Sequence, residues 1–240
     1  MFEKVYPKDP ADFKNNEIRT LDFLSKNKFC NENFDQLLRD LSNQYIGNRY
    51  AKGVLGFSFE SYVDVTIDRI IRRVYFGGLV FVKGSLKNQK YENISYYFAI
   101  CESNRTPSKL LRKFHFDCAI PGNTREKPHP FFHLQYAGKL SDHLKKAGFL
   151  GEHCDHLEPW FSEPRIINSP VTLALLLNTI FIEAEDDGIK AFLMTPDWKK
   201  LIRDNEELLL KKYYSTCFDL VRQSCQSKDK SFILDYCYAT

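Results

Sequence analysis

Residues 113–138 read KFHFDCAIPGNTREKPHPFFHLQYAG, and the alternation within them decides the fold. In the first half Phe114, Phe116 and Cys118 alternate with His115, Asp117 and Ala119. In the second half Phe132, Leu134 and Tyr136 alternate with His133 and Gln135. A period of two belongs to strands, whose successive side chains point to opposite faces. The intervening PGNTREKPHP supplies turn-forming residues. The two segments therefore form a hairpin. Centred near Arg125, it sets His115 opposite Gln135 and Asp117 opposite His133. Side chains so opposed stand ~5 Å apart, and a slip of one residue would exchange the two faces.

Working outward, VYFGGLVFVKG from Val74 is β-branched and aromatic, as a strand requires. In NISYYFAICE, Ile94, Tyr96, Phe98 and Ile100 share one face, and Ser95, Tyr97, Ala99 and Cys101 the other. With the hairpin these give four extended segments, an antiparallel meander. Residues 57–73 point both ways: Val63, Val65 and Ile67 alternate, whereas Ile70 and Ile71 followed by Arg72 and Arg73 suit a helix. A strand over 62–68 is the preferred reading.

Helical patterns flank the sheet. IRTLDFLSKNKF has the periodicity of a short helix. Phe34, Leu37, Leu38, Leu41 and Tyr45 recur at helical spacing behind a capping Asn33, which predicts a helix over 33–50 ended by Gly53 and Gly56. Residues 139–163 are mixed. Ser169 with Pro170 predicts a helix over 170–183, and Thr195 with Pro196 another running to about 225, with the acidic EAEDDG as connector. ILDYCY suits a final edge strand. The expected architecture is a single α+β domain over residues 1–240. About 1–56 form a helical N-terminal part and 57–138 the sheet, while 139–240 are mainly helical and cover one sheet face.

A chain of 240 residues, 43% hydrophobic and 27% charged, buries a core without disulfides or a structural metal. Its seven cysteines are scattered with no C-x-x-C pair, and MFEKVYPKDP carries no apolar run of the secretory kind. The expectation is a reduced, cytoplasmic protein. VTLALLLNTIFI is interrupted by Asn178 and falls short of the ~20 residues that cross a bilayer, so no membrane is implied. The net charge of +3 is unevenly spread: residues 69–146 hold fifteen Lys/Arg against five Asp/Glu, a local +10. That asymmetry suits an anionic partner such as phosphate or nucleic acid, and equally a solvated basic surface.

All six histidines lie between His115 and His156. Histidine is the side chain most readily made into a base, a ligand or a proton switch near neutral pH. On the expected hairpin, Asp117 meets His133 and fixes its tautomer, freeing the other ring nitrogen. Three readings stay open. The face is structural or binding. Or His115, Asp117 and His133, with His129 from the loop mouth, hold a divalent metal (Zn or Mn) that activates water on a phosphodiester. Or His133 is a metal-free general base oriented by Asp117, with His115 beside it. Arg112, Lys113, Arg125, Lys127, Gln135 and Arg165 are the candidate anion or nucleic-acid contacts. The H-x-x-x-H of His129 and His133 is not the helical zinc motif, because the adjacent Glu is absent and Pro130 sits inside it. HCDH at 153–156 has no second ligand pair.

HFD, then HPFFHLQ, then PWFSEPRIINSP followed by a Leu-rich helix and a W-KK-LI helix, over roughly residues 110–215, resembles a group of short uncharacterised bacterial proteins. The resemblance implies a setting in defence or mobile-element neighbourhoods and carries no fold, substrate or catalytic assignment. With the abundant aromatics, it points to a non-catalytic adaptor or regulator, partnered with a larger protein such as an ATPase or nuclease, in a bacterial system acting against foreign nucleic acid. The alternatives are a metal-dependent phosphodiesterase or nuclease centred on His115, Asp117 and His133, and a nucleic-acid-binding module using Tyr96, Tyr97 and Phe98.

Overall fold

A computed structural model describes residues 5–7, 10–27, 54–83, 90–102, 110–118, 129–136, 165–227, 229–232 and 236–239. The helix expected over 33–50, the HCDH run and the Trp160–Phe161 connector lie outside these residues, as do the side chains of Arg125, Lys127, His129 and Arg165. Helix α1 spans Pro10–Lys26, followed by strands β1 (Val54–Ile67), β2 (Ile70–Lys83), β3 (Lys90–Cys101) and β4 (Leu110–Cys118). Then come β5 (His129–Pro130), β6 (Phe132–Tyr136) and β7 (Arg165–Ile167). The C-terminal helices are α2 (Leu173–Ile182), α3 (Asp187–Leu193), α4 (Pro196–Asn205) and α5 (Lys211–Cys225). A π turn over Glu206–Leu210 joins the last two, and a two-residue strand β8 (Tyr238–Ala239) pairs with β5.

The main sheet has six strands in the order β1-β2-β3-β4-β6-β7, each antiparallel to its neighbour. The α+β meander is therefore present: its four segments are β2, β3, β4 and β6, the strand preferred over 62–68 is the end of a longer β1, and β7 is an addition. The ambiguous stretch 57–73 resolves into the β1–β2 hairpin. Its two-residue turn holds Asp68 at φ 54° and Arg69 at φ 60°, the doubly left-handed conformation that matches the twist of hairpin strands. Strand pairing outweighs the local helical tendency of Ile70–Arg73, because one helical turn cannot stand without tertiary support.

The acidic connector clamps that turn. Asp186 accepts both the Thr66 backbone N–H at 2.6 Å and its hydroxyl at 3.0 Å, and Glu185 accepts the Arg69 N–H at 2.8 Å. The connector is also shorter than the sequence suggests, since α3 begins within it.

The inner sheet face packs on the helices. Val74, Phe76, Val80, Ile94, Tyr96, Phe98 and Phe132 join Leu173, Leu177, Phe181 and Trp198 in one core. Helix α1 contributes Phe13, Leu21 and Leu24, at i, i+8 and i+11 on one helical face. At roughly 1.5–3 kcal/mol per fully buried large apolar side chain, this cluster is the main source of stability.

Helix α2 does not begin at Ser169–Pro170 as the sequence predicts. Its N-cap is Thr172, whose hydroxyl accepts the Leu175 N–H at 3.3 Å. The Leu173 N–H is taken by Glu17 of α1 at 3.0 Å, so a side chain distant in sequence reinforces the local cap. Glu17 also receives Asn16 Nδ2 at 3.3 Å, and Asn16 in turn donates to Asn205 of α4 at 2.7 Å. Glu17 is only 1% exposed. Its burial pushes the carboxyl up to about 7, against the opposing pull of the Leu173 N–H and the Tyr96 hydroxyl. By contrast Thr195 caps α4 where Thr-Pro predicts, accepting from Trp198 N.

Candidate functional site

The outer face of the sheet carries the histidine cluster. The β4–β6 register sets His115 opposite Gln135 and Asp117 opposite His133, as the hairpin centred near Arg125 predicts. On the other side of β4, Ser95 of β3 pairs with Asp117 and Tyr97 with His115. Three strands thus bring Ser95, His115, Asp117 and His133 into one patch.

Asp117 stands between the two rings. Its Oδ2 lies 3.3 Å from His115 Nδ1 and 3.8 Å from His133 Nε2. The Ser95 hydroxyl meets His115 Nε2 at 2.5 Å, and His133 Nδ1 donates to the Pro130 carbonyl at 3.1 Å. A carbonyl only accepts, so the His133 proton sits on Nδ1. The carboxylate beside His115 Nδ1 favours a proton there, leaving Nε2 to accept from Ser95. Burial lowers the His115 pKa from its ordinary value of 6.5, with Asp117 pulling it up and Lys113 adding to the fall. A neutral ring at pH 7 fits the Ser95 contact.

The face is not the half-solvated exterior that polar alternation suggests. His133 is 2% exposed, Lys113 5% and Gln135 9%, and Ala99 and Cys101 are fully buried. His115 and Asp117 keep about a third and a fifth of their side chains accessible, which makes them the reachable edge of the patch. Of the candidate anion contacts, Arg112 is exposed and bonds the Leu111 carbonyl at 2.9 Å, whereas Lys113 and Gln135 are buried. Tyr96 and Phe98 point into the core, so they offer no stacking platform. Tyr97, on the outer face, is half-buried.

Among the described residues no three His, Cys, Asp or Glu side chains converge as metal ligands. The set proposed from the sequence included His129, whose backbone lies in β5 but whose side chain is outside the description. The order Ser95–His115–Asp117 is that of a nucleophilic relay. However, Ser95 sits on an interior strand paired on both sides, with Leu79 and with Asp117, so the ladders engage the backbone N–H groups that an oxyanion would need. What the arrangement does chemically is tie three strands together through groups whose burial would otherwise be costly.

Sequence reasoning missed Ser95, although its signal was present: extending the cross-strand pairing one strand beyond β4 puts it opposite Asp117. It also missed the surface of α5. There Tyr214 is 60% exposed, Phe218 68% and Val221 39%, at helical spacings of four and three, while Tyr213, Thr216 and Leu220 face inward. The exposed Cys225 extends the row.

No family model, curated protein or solved structure matches the chain. No helix among the described residues is long and apolar enough to cross a membrane.

Proposed function

We propose that this protein is a non-catalytic subunit, an adaptor or regulator, of a bacterial multi-protein system acting against foreign nucleic acid. The observation that carries the reading is the row Tyr214, Phe218 and Val221 on the outer side of α5, two of them large aromatic rings in water. Contiguous exposed apolar surface on a helix is the usual mark of a protein docking site, and an i, i+4, i+7 row is the pattern by which a helix enters a partner's apolar groove. The closed histidine network supports the same reading, because each imidazole nitrogen of His115 and His133 faces a group of the chain itself. The resemblance of the HFD, HPFFHLQ and PWFSEPRIINSP segments supplies the defence setting, and a larger ATPase or nuclease is the partner it implies.

A second reading is favoured by one observation, the Asp117 carboxylate held between two imidazoles. It is a hydrolytic centre acting on phosphodiesters, with or without Zn or Mn. One experiment separates the two. Tagged protein is purified from its native host as wild type, as Phe218→Asp and as His133→Ala, and each preparation is assayed on nucleic acid after stripping its partners. Loss of a specific ATPase or nuclease subunit in Phe218→Asp, with no cleavage by any stripped preparation, supports the subunit. Cleavage by the stripped wild type that disappears in His133→Ala overturns it.

A further inference from the structure

Between the inner sheet face and helices α2 and α4 lies a cavity of about 650 Å³. Close-packed interiors leave few voids larger than a water molecule, and sites for small molecules span roughly 300–1,000 Å³. The sheet side of the cavity is aromatic. Phe98, Phe114 and Phe116 line it, with ring centroids 4.8 Å and 6.2 Å from that of Phe98. Leu134, Leu176 and Ile202 add aliphatic wall.

Among the described residues the charge of the lining has one sign. Glu183 and Glu206 are its charged residues, and no Lys, Arg or His lines the cavity among the described residues. Glu183, exposed, closes the C-terminal end of α2, whereas Glu206, half-buried, follows Asn205, which reaches Asn16 beside the Glu17–Leu173 contact at the start of α2; the two carboxylates therefore mark opposite ends of the cavity, and neither is in an ion pair with a described residue. Glu206 also opens the π turn, and Leu210 at its far end is a second lining residue from the same turn. Single π turns inside longer helices gather at functional sites, since the wider turn re-aims side chains that a regular helix would carry elsewhere.

We propose that this cavity binds an elongated apolar small molecule with a cationic head. The tail lies against the three phenylalanines and the head is held by the carboxylate at one end, Glu206 or Glu183. A carboxylate head would meet a like charge at either end, and a neutral head would gain nothing there. The acidic ends therefore select for an ammonium-type group.

The test uses the full chain and three probes of equal tail length below their aggregation limits: dodecylammonium, dodecanol and dodecanoate. Each is titrated against a bound neutral fluorophore that reports on apolar sites. The expected order is dodecylammonium about tenfold tighter than dodecanol, with dodecanoate weaker than both. In Glu183→Gln/Glu206→Gln the ammonium and the alcohol become equal. Leu134→Trp and Ile202→Phe, which fill the cavity from opposite walls, lose all three; either variant counts only where its cooperative thermal unfolding is kept. Equal binding of dodecanoate and dodecylammonium by the wild type overturns the proposal, as does undiminished binding by a folded cavity-filling variant or no saturable binding of any probe.

Discussion

Replacing Glu17 by Gln reverses the usual expectation that losing a hydrogen-bonded charge destabilises. The carboxyl is 1% exposed at the start of α2, and its pKa rises from 4.5 to about 7. Two effects compete there. The Leu173 N–H and the helix N-terminus favour the carboxylate, whereas removal from water favours the acid. The raised value means that desolvation wins. The folded state then keeps its proton while the unfolded chain, near 4.5, releases it, so the unfolded state gains relative stability across the window between 4.5 and 7. A shift of this size, at about 1.4 kcal/mol per unit, is worth about 3 kcal/mol, present below pH 4.5 and lost as pH rises through 7. Gln keeps an oxygen for the Leu173 N–H and cannot ionise. Urea unfolding of both proteins at half-unit steps from pH 4 to 8.5 gives a difference curve in which the contributions of other groups cancel. Relative to wild type, Glu17→Gln should gain about 3 kcal/mol between the ends of the curve, roughly 6–12 °C in Tm for a chain of this size. A flat curve, or wild type gaining on the variant as pH rises, would refute the argument. The second outcome would mean that the helix terminus outweighs burial.

Other perturbations have equally definite signs. Asp117→Asn removes the charge that raises the His115 pKa, so the ring's titration, already below 6.5, should move lower still in an NMR pH series; movement upward would show that the carboxylate does not face Nδ1. Arg69→Gly relieves a left-handed residue at φ 60° while keeping the N–H bonded to Glu185, and should stabilise the protein by about 1 kcal/mol in chemical denaturation; a loss would mean that the arginine side chain contributes more than the backbone strain costs. Asp186→Ala strips both the N–H and the hydroxyl of Thr66 of their acceptor and should cost about 1–3 kcal/mol by the same assay, with an unchanged midpoint as the contrary result.

The sheet was legible because half of its information is strictly local. Alternation assigned Phe114, Phe116, Phe132 and Leu134 to one face and His115, Asp117, His133 and Gln135 to the other, and a central turn then fixed the register. Thr195 with Pro196 announced α4 for the same reason, since a cap acts within one turn. Three features resisted. The start of α2 falls at Thr172, a local cap three residues beyond the stronger Ser169–Pro170 signal, where Glu17, 156 positions away, also takes the Leu173 N–H, and no local pattern encodes that partner. The burial of His133, Lys113 and Gln135 depends on what packs over the outer face, and alternation reports only that a face is different, not that it is wet. The row on α5 was hidden by its own residue types: in the sequence Phe218 and Val221 look like core, because hydrophobic spacing does not distinguish the stripe that is buried from one that is left exposed.

The subunit reading stands or falls on what touches Phe218 in the cell. A photo-crosslinking phenylalanine analogue placed at 218, with one at exposed Asp197 as a control position, should on irradiation in the native host give an adduct at 218 alone, containing a subunit of an ATPase or nuclease assembly. No adduct at 218, together with phosphodiesterase activity in the isolated chain, would contradict the account and move the function back to the histidine face.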